Sequence, residues 1–178
     1  MKIFWRILLA LLVLFLLLGL LTSKHHTIVR ETLIDAPQNM VHDQIYDLKK
    51  WDTWSPWEQS DATIKKTYGP TTAGKGSYYT WDSKHSGKGK LTITGASSDS
   101  INTEVIFDGM GIAKSNYSFF KQDNNTKVVW SFIYDTAFPW NAVNWIMGGD
   151  KSVGKDFEKG LASLKQVCEQ LKLNAEKK

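Results

Sequence analysis

The stretch KSVGKDFEKGLASLKQVCEQL, residues 151–171, carries the clearest periodic pattern in this chain of 178 residues. Its apolar side chains advance by four, three, four and three positions, as expected for one face of an α-helix: Phe157, Leu161, Leu164, Cys168 and Leu171. The opposite face carries lysine, glutamate and glutamine. The pattern predicts a long C-terminal helix whose buried stripe needs an apolar surface to pack against.

That surface is a predicted antiparallel sheet. Residues 28–35 and six segments between residues 62 and 136 alternate apolar and polar positions, and turn sequences such as SKHSG and GMG separate them. One face is polar and the other strongly aromatic, so the chain is predicted to be α+β, with the aromatic face packed on the C-terminal helix. We expect a cavity between sheet and helix, because a sheet curved around one helix often leaves one.

The sequence WDTWSPW, residues 51–57, places three of the eight tryptophans within seven positions. A helical or 3₁₀ turn would bring them to one side, and Pro56 should end that turn because it disfavours helical geometry at Ser55. The rings spread along the turn and cannot all be buried. We expect Trp51 and Trp54 in the core and Trp57 near the mouth of a cavity.

The N-terminus is a predicted membrane segment. The uncharged run Ile7–Leu21, extended back to Ile3 past a snorkelling Arg6, approaches the roughly 20 residues that cross a bilayer. The following LTSKHH lacks an A-x-A cleavage pattern, which favours a retained signal-anchor over a cleaved signal peptide. The positive-inside rule then favours a cytoplasmic N-terminus, so this single-pass membrane protein would carry its domain on the extracytoplasmic side.

Several classes of function lack support in the sequence. The net charge is only +4, and no long basic run indicates nucleic-acid binding. The single cysteine excludes an internal disulfide, and the histidines, which we expect at the surface, lack metal-ligand spacing. The sequence GPTTAGKGS, residues 69–77, resembles a phosphate-binding loop but precedes a strand rather than a helix. We therefore predict no catalytic residue, no metal and no cofactor.

Several local motifs together resemble the SRPBCC (START-like) superfamily, in its polyketide cyclase/dehydrase-like branch. They are IDAP (34–37), DLKKWDTWSPW (47–57), G-x-G-x-x-Y-x-W (74–81), TKVVW (126–130) and GKDFEKGLxxLK (154–165). The resemblance implies a helix-grip fold, with a seven-stranded antiparallel sheet wrapped around the C-terminal helix and a hydrophobic cavity. Together with the predicted membrane segment, this divides the chain into a transmembrane signal-anchor (1–23), a helix-grip domain (24–173) and a disordered basic tail (174–178).

Members of this superfamily bind or transport lipids and other apolar molecules, and a minority catalyse cyclisation or dehydration. The resemblance therefore implies binding of a hydrophobic small molecule or lipid. The N-terminal helix, which departs from the soluble members, adds the expectation that this binding is membrane-anchored. Candidate ligand-binding residues come from the aromatic face, the tryptophan segment and the helix stripe: Trp57, Tyr79, Trp81, Phe107, Tyr117, Trp130, Phe132, Tyr134, Phe157 and Leu161.

Two alternatives remain open from the sequence. A cyclase or dehydratase acting on an apolar substrate needs a titratable group inside the cavity, for which Asp82, Asp108 and Tyr134 are candidates. A protein-interaction module of the cell envelope predicts a collapsed cavity and an exposed apolar patch around Phe138, Trp140 and Trp145.

Overall fold

The computed structural model describes residues 1–177. Its helices are α1 (Lys2–Leu21), α2 (Gln38–Tyr46), α3 (Pro56–Ser60), α4 (Trp140–Met147) and α5 (Gly149–Glu176), with a 3₁₀ helix at Leu48–Thr53. Its strands are β1 (His25–Ile34), β2 (Lys65–Tyr68), β3 (Tyr78–Ser83), β4 (Gly87–Ala96), β5 (Ser100–Phe107), β6 (Gly111–Gln122) and β7 (Asn125–Asp135).

The strands form one antiparallel sheet of seven strands in the order β1-β7-β6-β5-β4-β3-β2. Consecutive strands from β2 to β7 are neighbours, and β1 closes the order by pairing along β7, with Ile28 opposite Phe132. On α5 the part of the stripe from Phe157 to Cys168 is buried. The predicted α+β helix-grip architecture is thereby confirmed.

Helix α5 follows β1 along its whole length. His26 contacts Asp150 near the start of both elements, and Asp35 contacts Lys172 near their ends. The stretch from His26 to Asp35 and the stretch from Asp150 to Lys172 each span about 30 Å at the usual rise per residue of strands and helices. Leu171 is exposed, although the stripe predicts it to be packed.

The C-terminal tail differs from the sequence prediction. Helix α5 continues to Glu176, so residues 174–176 are helical rather than disordered. Their side chains are exposed, so the helix continues here by its own propensity, for which Asn-Ala-Glu offers no breaker. Lys178, also part of the predicted tail, lies outside the described residues.

Helix α4 forms in the segment AFPWNAVNWIMGG, whose pattern favours irregular structure. Its only fully buried side chains are Asn141 and Ala142, while three apolar residues in succession, Trp145, Ile146 and Met147, are exposed. The apolar side of α4 therefore points away from the core.

The tryptophan segment closes one end of the core. Trp51 and Trp54 are fully buried, as predicted, and their indole N–H groups donate to the Ile45 and Gln44 carbonyls of α2, each at 3.0 Å. The 3₁₀ helix stops at Thr53, and Pro56 begins α3. Pro56 therefore ends one turn and starts another, because its fixed φ and missing N–H suit a first helical position.

Gly160 allows α5 to approach both the sheet and α3. A Cβ at this position would lie 2.9 Å from Pro56 Cδ and 3.1 Å from Trp130 Cζ3, which are atoms of rigid rings. At Gly154 a Cβ would meet only the end of the flexible Arg30 side chain. Close packing therefore accounts for Gly160, whereas Gly154 lacks a rigid neighbour of this kind.

Asp61 ties the segment after α3 to the turn between β3 and β4. Its carboxylate accepts hydrogen bonds from the Thr63 backbone and from the hydroxyls of Thr63, Ser83 and Ser86. The Ser83 and Thr63 bonds, the largest contributions, hold the pKa of Asp61 well below its ordinary value. The segment after α3 and the turn between β3 and β4 are thus held together by one ionised group.

Replacing Gly160 by alanine is expected to destabilise the protein relative to the Gly154→Ala variant. Both changes gain the same helix propensity, but only the first forces a methyl group against two rigid rings. We expect a difference in the free energy of unfolding of about 1–3 kcal/mol. Unfolding of detergent-solubilised full-length protein, followed by tryptophan fluorescence, measures it, and equal stabilities would contradict the packing assigned to Gly160.

The stabilisation by Asp61 is expected to weaken in acid. Because its pKa is depressed in the folded state, its contribution is complete above the unfolded pKa of about 3.9 and disappears as the pH falls toward the folded value. The Asp61→Asn variant should be less stable than the wild type at pH ~6, and the gap should narrow at pH ~3. A difference in stability between the two proteins that stays constant with pH would show that the charge of the Asp61 carboxylate does not contribute to stability.

Candidate ligand-binding cavity

An apolar cavity of about 80 Å³ lies between α3, with the segment that follows it, and strands β3, β4, β5 and β7. Most of its wall is aromatic or aliphatic, and its only charged neighbour is a glutamate. The lining residues are Trp57, Glu58, Ile64, Tyr79, Trp81, Ser86, Leu91, Val105, Phe107 and Phe132. A partly open apolar space with one buried carboxylate in its wall has the composition expected of a small-molecule site.

Five of the ten residues proposed from the sequence line this cavity: Trp57, Tyr79, Trp81, Phe107 and Phe132. Trp81 and Phe107 contact each other edge to face at a centroid separation of 5.6 Å. Trp57 is half-buried on α3 and packs edge to face against Trp130 at 6.0 Å. Its place at the edge of the cavity agrees with the expectation for the third tryptophan of WDTWSPW.

Four of the other proposed residues belong to the packed core instead: Tyr117, Trp130, Phe157 and Leu161. Trp130 stacks face to face on Phe157, with ring centroids 3.8 Å apart and an interplanar angle of 7°. On its other side Trp130 meets Tyr117 at 4.9 Å and donates a hydrogen bond from its indole N–H to the Ser115 hydroxyl. These side chains fill the space beneath α5.

The cavity is therefore not where the sequence led us to expect it. The sequence pattern predicts a cavity between the sheet and the C-terminal helix, but no residue of α5 lines the observed cavity. The Trp130–Phe157 stack fills that space, and the cavity lies instead between α3 and strands β3, β4, β5 and β7. Alternation along a strand predicts which side chains point inward, but not which of them interdigitate.

Tyr134, the tenth proposed residue, lies outside the cavity near the start of β1. Its ring stacks on His26 at a centroid distance of 4.8 Å, and its hydroxyl donates to Asp150 Oδ1 at 2.6 Å. Burial and this bond to Asp150 raise the pKa of Tyr134 to about 12. The proposed site residue is thus part of a separate polar cluster near the end of α1.

Glu58 is a cavity residue that the sequence analysis missed. Its side chain is buried, although it lies on the short helix α3, whose polar sequence suggests a solvent-exposed turn. Tyr79 donates a hydrogen bond to Glu58 Oε1 at 2.9 Å, Lys66 Nζ lies 2.9 Å from the same oxygen, and the Ser55 hydroxyl donates to Oε2. Lys66 also pairs with Asp52.

The electrostatics of this cluster keep Lys66 charged. Burial disfavours the ammonium group, but the Glu58 charge and the hydrogen bonds to Asp52 and Glu58 outweigh that effect, so the pKa of Lys66 is raised. Burial and the nearby Glu58 charge raise the pKa of Tyr79 well above its ordinary value. The cavity wall therefore holds a compensated ion pair beside a neutral phenol.

The groups proposed for acid–base chemistry do not enter the cavity. Asp82 is exposed and pairs with Lys88 at 2.7 Å, and Asp108 is exposed beyond the end of β5. Tyr134 faces Asp150, as described above. Of the described carboxylates, Glu58 alone is among the lining residues.

The remaining candidate reactive groups are inert or structural. Burial raises the pKa of the Cys168 thiol to about 12, in agreement with a core role. Residues 1–177 contain no cluster of three or more histidine, cysteine, aspartate or glutamate side chains suited to a metal ion. His26 is buried, contrary to the expectation of surface histidines, because Asp150 and Thr136 satisfy both ring nitrogens at 3.0 and 2.8 Å.

Solved structures with the same fold come from several bacteria. A Staphylococcus aureus protein of unknown function superposes with a TM-score of 0.65 at 12% identity, covering 84% of this chain and 96% of its own. A Bacillus halodurans protein gives 0.61 at 12% identity, with 83% and 100% covered. A Chromobacterium violaceum protein gives 0.55 at 14% identity, with 80% and 96% covered. At these identities the similarity concerns the fold.

A search of curated proteins finds no match to the sequence. The family model described as "Polyketide cyclase / dehydrase and lipid transport" matches residues 25–169, which is nearly all of the chain after α1. The matched range contains the whole sheet, the cavity and most of α5. The chain therefore belongs to the polyketide cyclase/dehydrase and lipid transport family.

Proposed function

We propose that this protein is a membrane-anchored binder of an apolar small molecule or lipid, and that the cavity beneath α3 receives the ligand without covalent chemistry. The observation that carries the proposal is the composition of the wall, in which aromatic rings from α3, β3, β5 and β7 surround one buried carboxylate. Burying an apolar ligand there contributes roughly 25 cal/mol for each Å² removed from water, less the cost of ordering. The family description, which includes lipid transport, supports this class of ligand.

The size of the cavity restricts what enters it. Its volume of about 80 Å³ is small beside the roughly 300–1,000 Å³ typical of ligand pockets. We therefore expect only one end of a longer apolar molecule to occupy it. The half-buried Trp57 and Ile64, on α3 and the segment after it, border the space on the side away from the sheet.

Glu58 favours a ligand that carries a hydrogen-bond donor. A carboxylate has about four acceptor positions, and three donors, Tyr79, Lys66 and Ser55, engage this one. A hydroxyl or amide N–H at the ligand's end would donate to the remaining acceptor position of Glu58. An ether or a hydrocarbon could not make this bond.

A retained α1 would attach this site to a membrane. The helix has a mean hydropathy of 2.7 over its most apolar window, and only 6% of that window is buried. Lys2 and Arg6 at its start favour a cytoplasmic N-terminus, which would put the domain on the extracytoplasmic side. The ligand would then be taken up next to a bilayer.

The cyclase or dehydratase alternative now rests on Glu58 as the only described carboxylate at the cavity. Acting as a general base requires a carboxylate that is free to accept the substrate's proton. Glu58 is instead engaged by three donors, one of them the cationic Lys66. Binding without chemistry is the function that this arrangement supports better.

A series of 1-alkanols of increasing chain length tests the proposal. Full-length protein in detergent is titrated with each alkanol and with the methyl ether of the same length, and the fluorescence of Trp57 and Trp81 reports binding. We expect affinity to rise by about 0.8 kcal/mol for each buried CH₂ and to level off once the cavity is filled. The alcohols should bind more tightly than the ethers, since only the alcohols can donate to Glu58.

Neighbouring positions of β5 supply the matched control. Val105 points into the cavity, whereas Ile106 points to the opposite face of the sheet. Val105→Trp should abolish the chain-length dependence, and Ile106→Trp should retain it, with circular dichroism confirming that both variants fold. Binding that is unchanged in a folded Val105→Trp variant would show that the alcohols bind elsewhere, for example in the detergent.

A further inference from the structure

Helix α4 presents an uncharged apolar surface to its surroundings. Its sequence, WNAVNWIM, contains no charged residue. Trp140, Trp145, Ile146 and Met147 are 66%, 63%, 57% and 75% exposed, and Phe138 just before the helix is 41% exposed. Such a concentration of apolar side chains on one short element is unusual for a protein surface in water and marks an interaction site.

The same helix is attached to the end of α1. The Asn141 side-chain amide donates to the Gly19 carbonyl at 2.6 Å, to the Thr22 carbonyl at 3.0 Å and to the Thr22 hydroxyl at 3.1 Å. Gly19 is the buried residue of α1, and a Cβ there would lie 2.9 Å from the Phe138 ring. The exposed face of α4 is therefore continuous with the C-terminal end of the apolar helix.

Among the surfaces that could cover α4, continuity with α1 favours a lipid surface. Tryptophan side chains are enriched at the boundary between acyl chains and headgroups, where their rings have one apolar and one polar side. Trp140 and Trp145 lie on the helix that joins the last turn of α1, which is the level of such a boundary. Lys24 and Lys151, both exposed, flank this region with charges that suit anionic lipid headgroups.

We propose that α4 is an interfacial helix that lies in the surface of the bilayer beside α1 and fixes how the domain stands on the membrane. This inference rests on the proposed membrane anchoring and adds to it a second, independent lipid contact. A flexible tether would leave the domain free to rotate. Two helices joined through Asn141 and Phe138 define one orientation instead.

That orientation places the cavity toward the membrane. Phe107 pairs with Gly111 at the start of β6. Two residues further along β6, Ala113 pairs with Tyr134, which pairs with His26 at the start of β1. Trp81 is level with Phe107, because both lie opposite Gly89 of β4. These two cavity residues therefore lie at the end of the sheet from which α1 departs. Met110, 71% exposed in the turn between β5 and β6, occupies the same end. A lipid leaving the bilayer would reach the cavity over a short path.

Spin labels on full-length protein in vesicles of phosphatidylcholine and phosphatidylglycerol test this inference. In a Cys168→Ala background, single cysteines are introduced as Ile146→Cys on α4, Asn124→Cys in the β6–β7 turn at the opposite end of the sheet, and Leu12→Cys in α1. Collision rates of each label with oxygen, which concentrates in lipid, and with a water-soluble nickel complex report its surroundings.

The ratio of the oxygen to the nickel collision rate should be several-fold higher for the label at position 146 than for the label at position 124. The label at position 12 should have the high ratio of a lipid-buried site. Nickel access at position 146 equal to that at position 124 would overturn the inference, because α4 would then lie in water. Protection of position 146 from both reagents would also overturn it, since another protein surface would cover α4. A label at position 12 in water would instead refute the anchoring itself.

Discussion

The stack of Trp130 on Phe157 is the contact on which the arrangement of this molecule depends. It joins the middle of β7 to α5 at a ring separation of 3.8 Å, and Gly160 makes the approach possible one helical turn further on. Trp54, Trp57 and Tyr117 all contact Trp130 edge to face or tilted. One indole ring thereby links the sheet, the tryptophan segment and the C-terminal helix. Because these rings fill the space beneath α5, the remaining cavity lies beside α3.

The fold could be predicted because its signals are local and periodic. Period-two segments, the four-and-three spacing after Phe157 and the family motifs together specify the sheet, its aromatic face and the helix that packs on it. The position of the cavity could not be predicted in the same way. Trp81 and Trp130 have the same inward orientation in the sequence pattern, and only the packing decides that the first lines a space and the second fills one.

Glu58 and α4 show why other features were missed. Glu58 follows Trp57 on a turn that looks solvent-exposed, and its partner Lys66 looks like an ordinary polar position on an edge strand. Their pairing depends on the path of the chain between α3 and β2. The apolar side of helix α4 points away from the core. One alternative from the sequence predicts a protein-interaction patch around Phe138, Trp140 and Trp145. The attachment of α4 to α1 favours a lipid surface as the partner instead.

These features support one account, in which a small apolar cavity with a single carboxylate lies at the membrane end of an anchored helix-grip domain. Native mass spectrometry of full-length protein extracted from cell membranes, combined with solvent extraction of what it carries, tests this account most directly. We predict that one class of apolar molecule bearing a hydroxyl or amide donor stays bound after bilayer lipids are stripped away. A protein that emerges with no bound molecule, or with the same lipid mixture as its surrounding membrane, would contradict it.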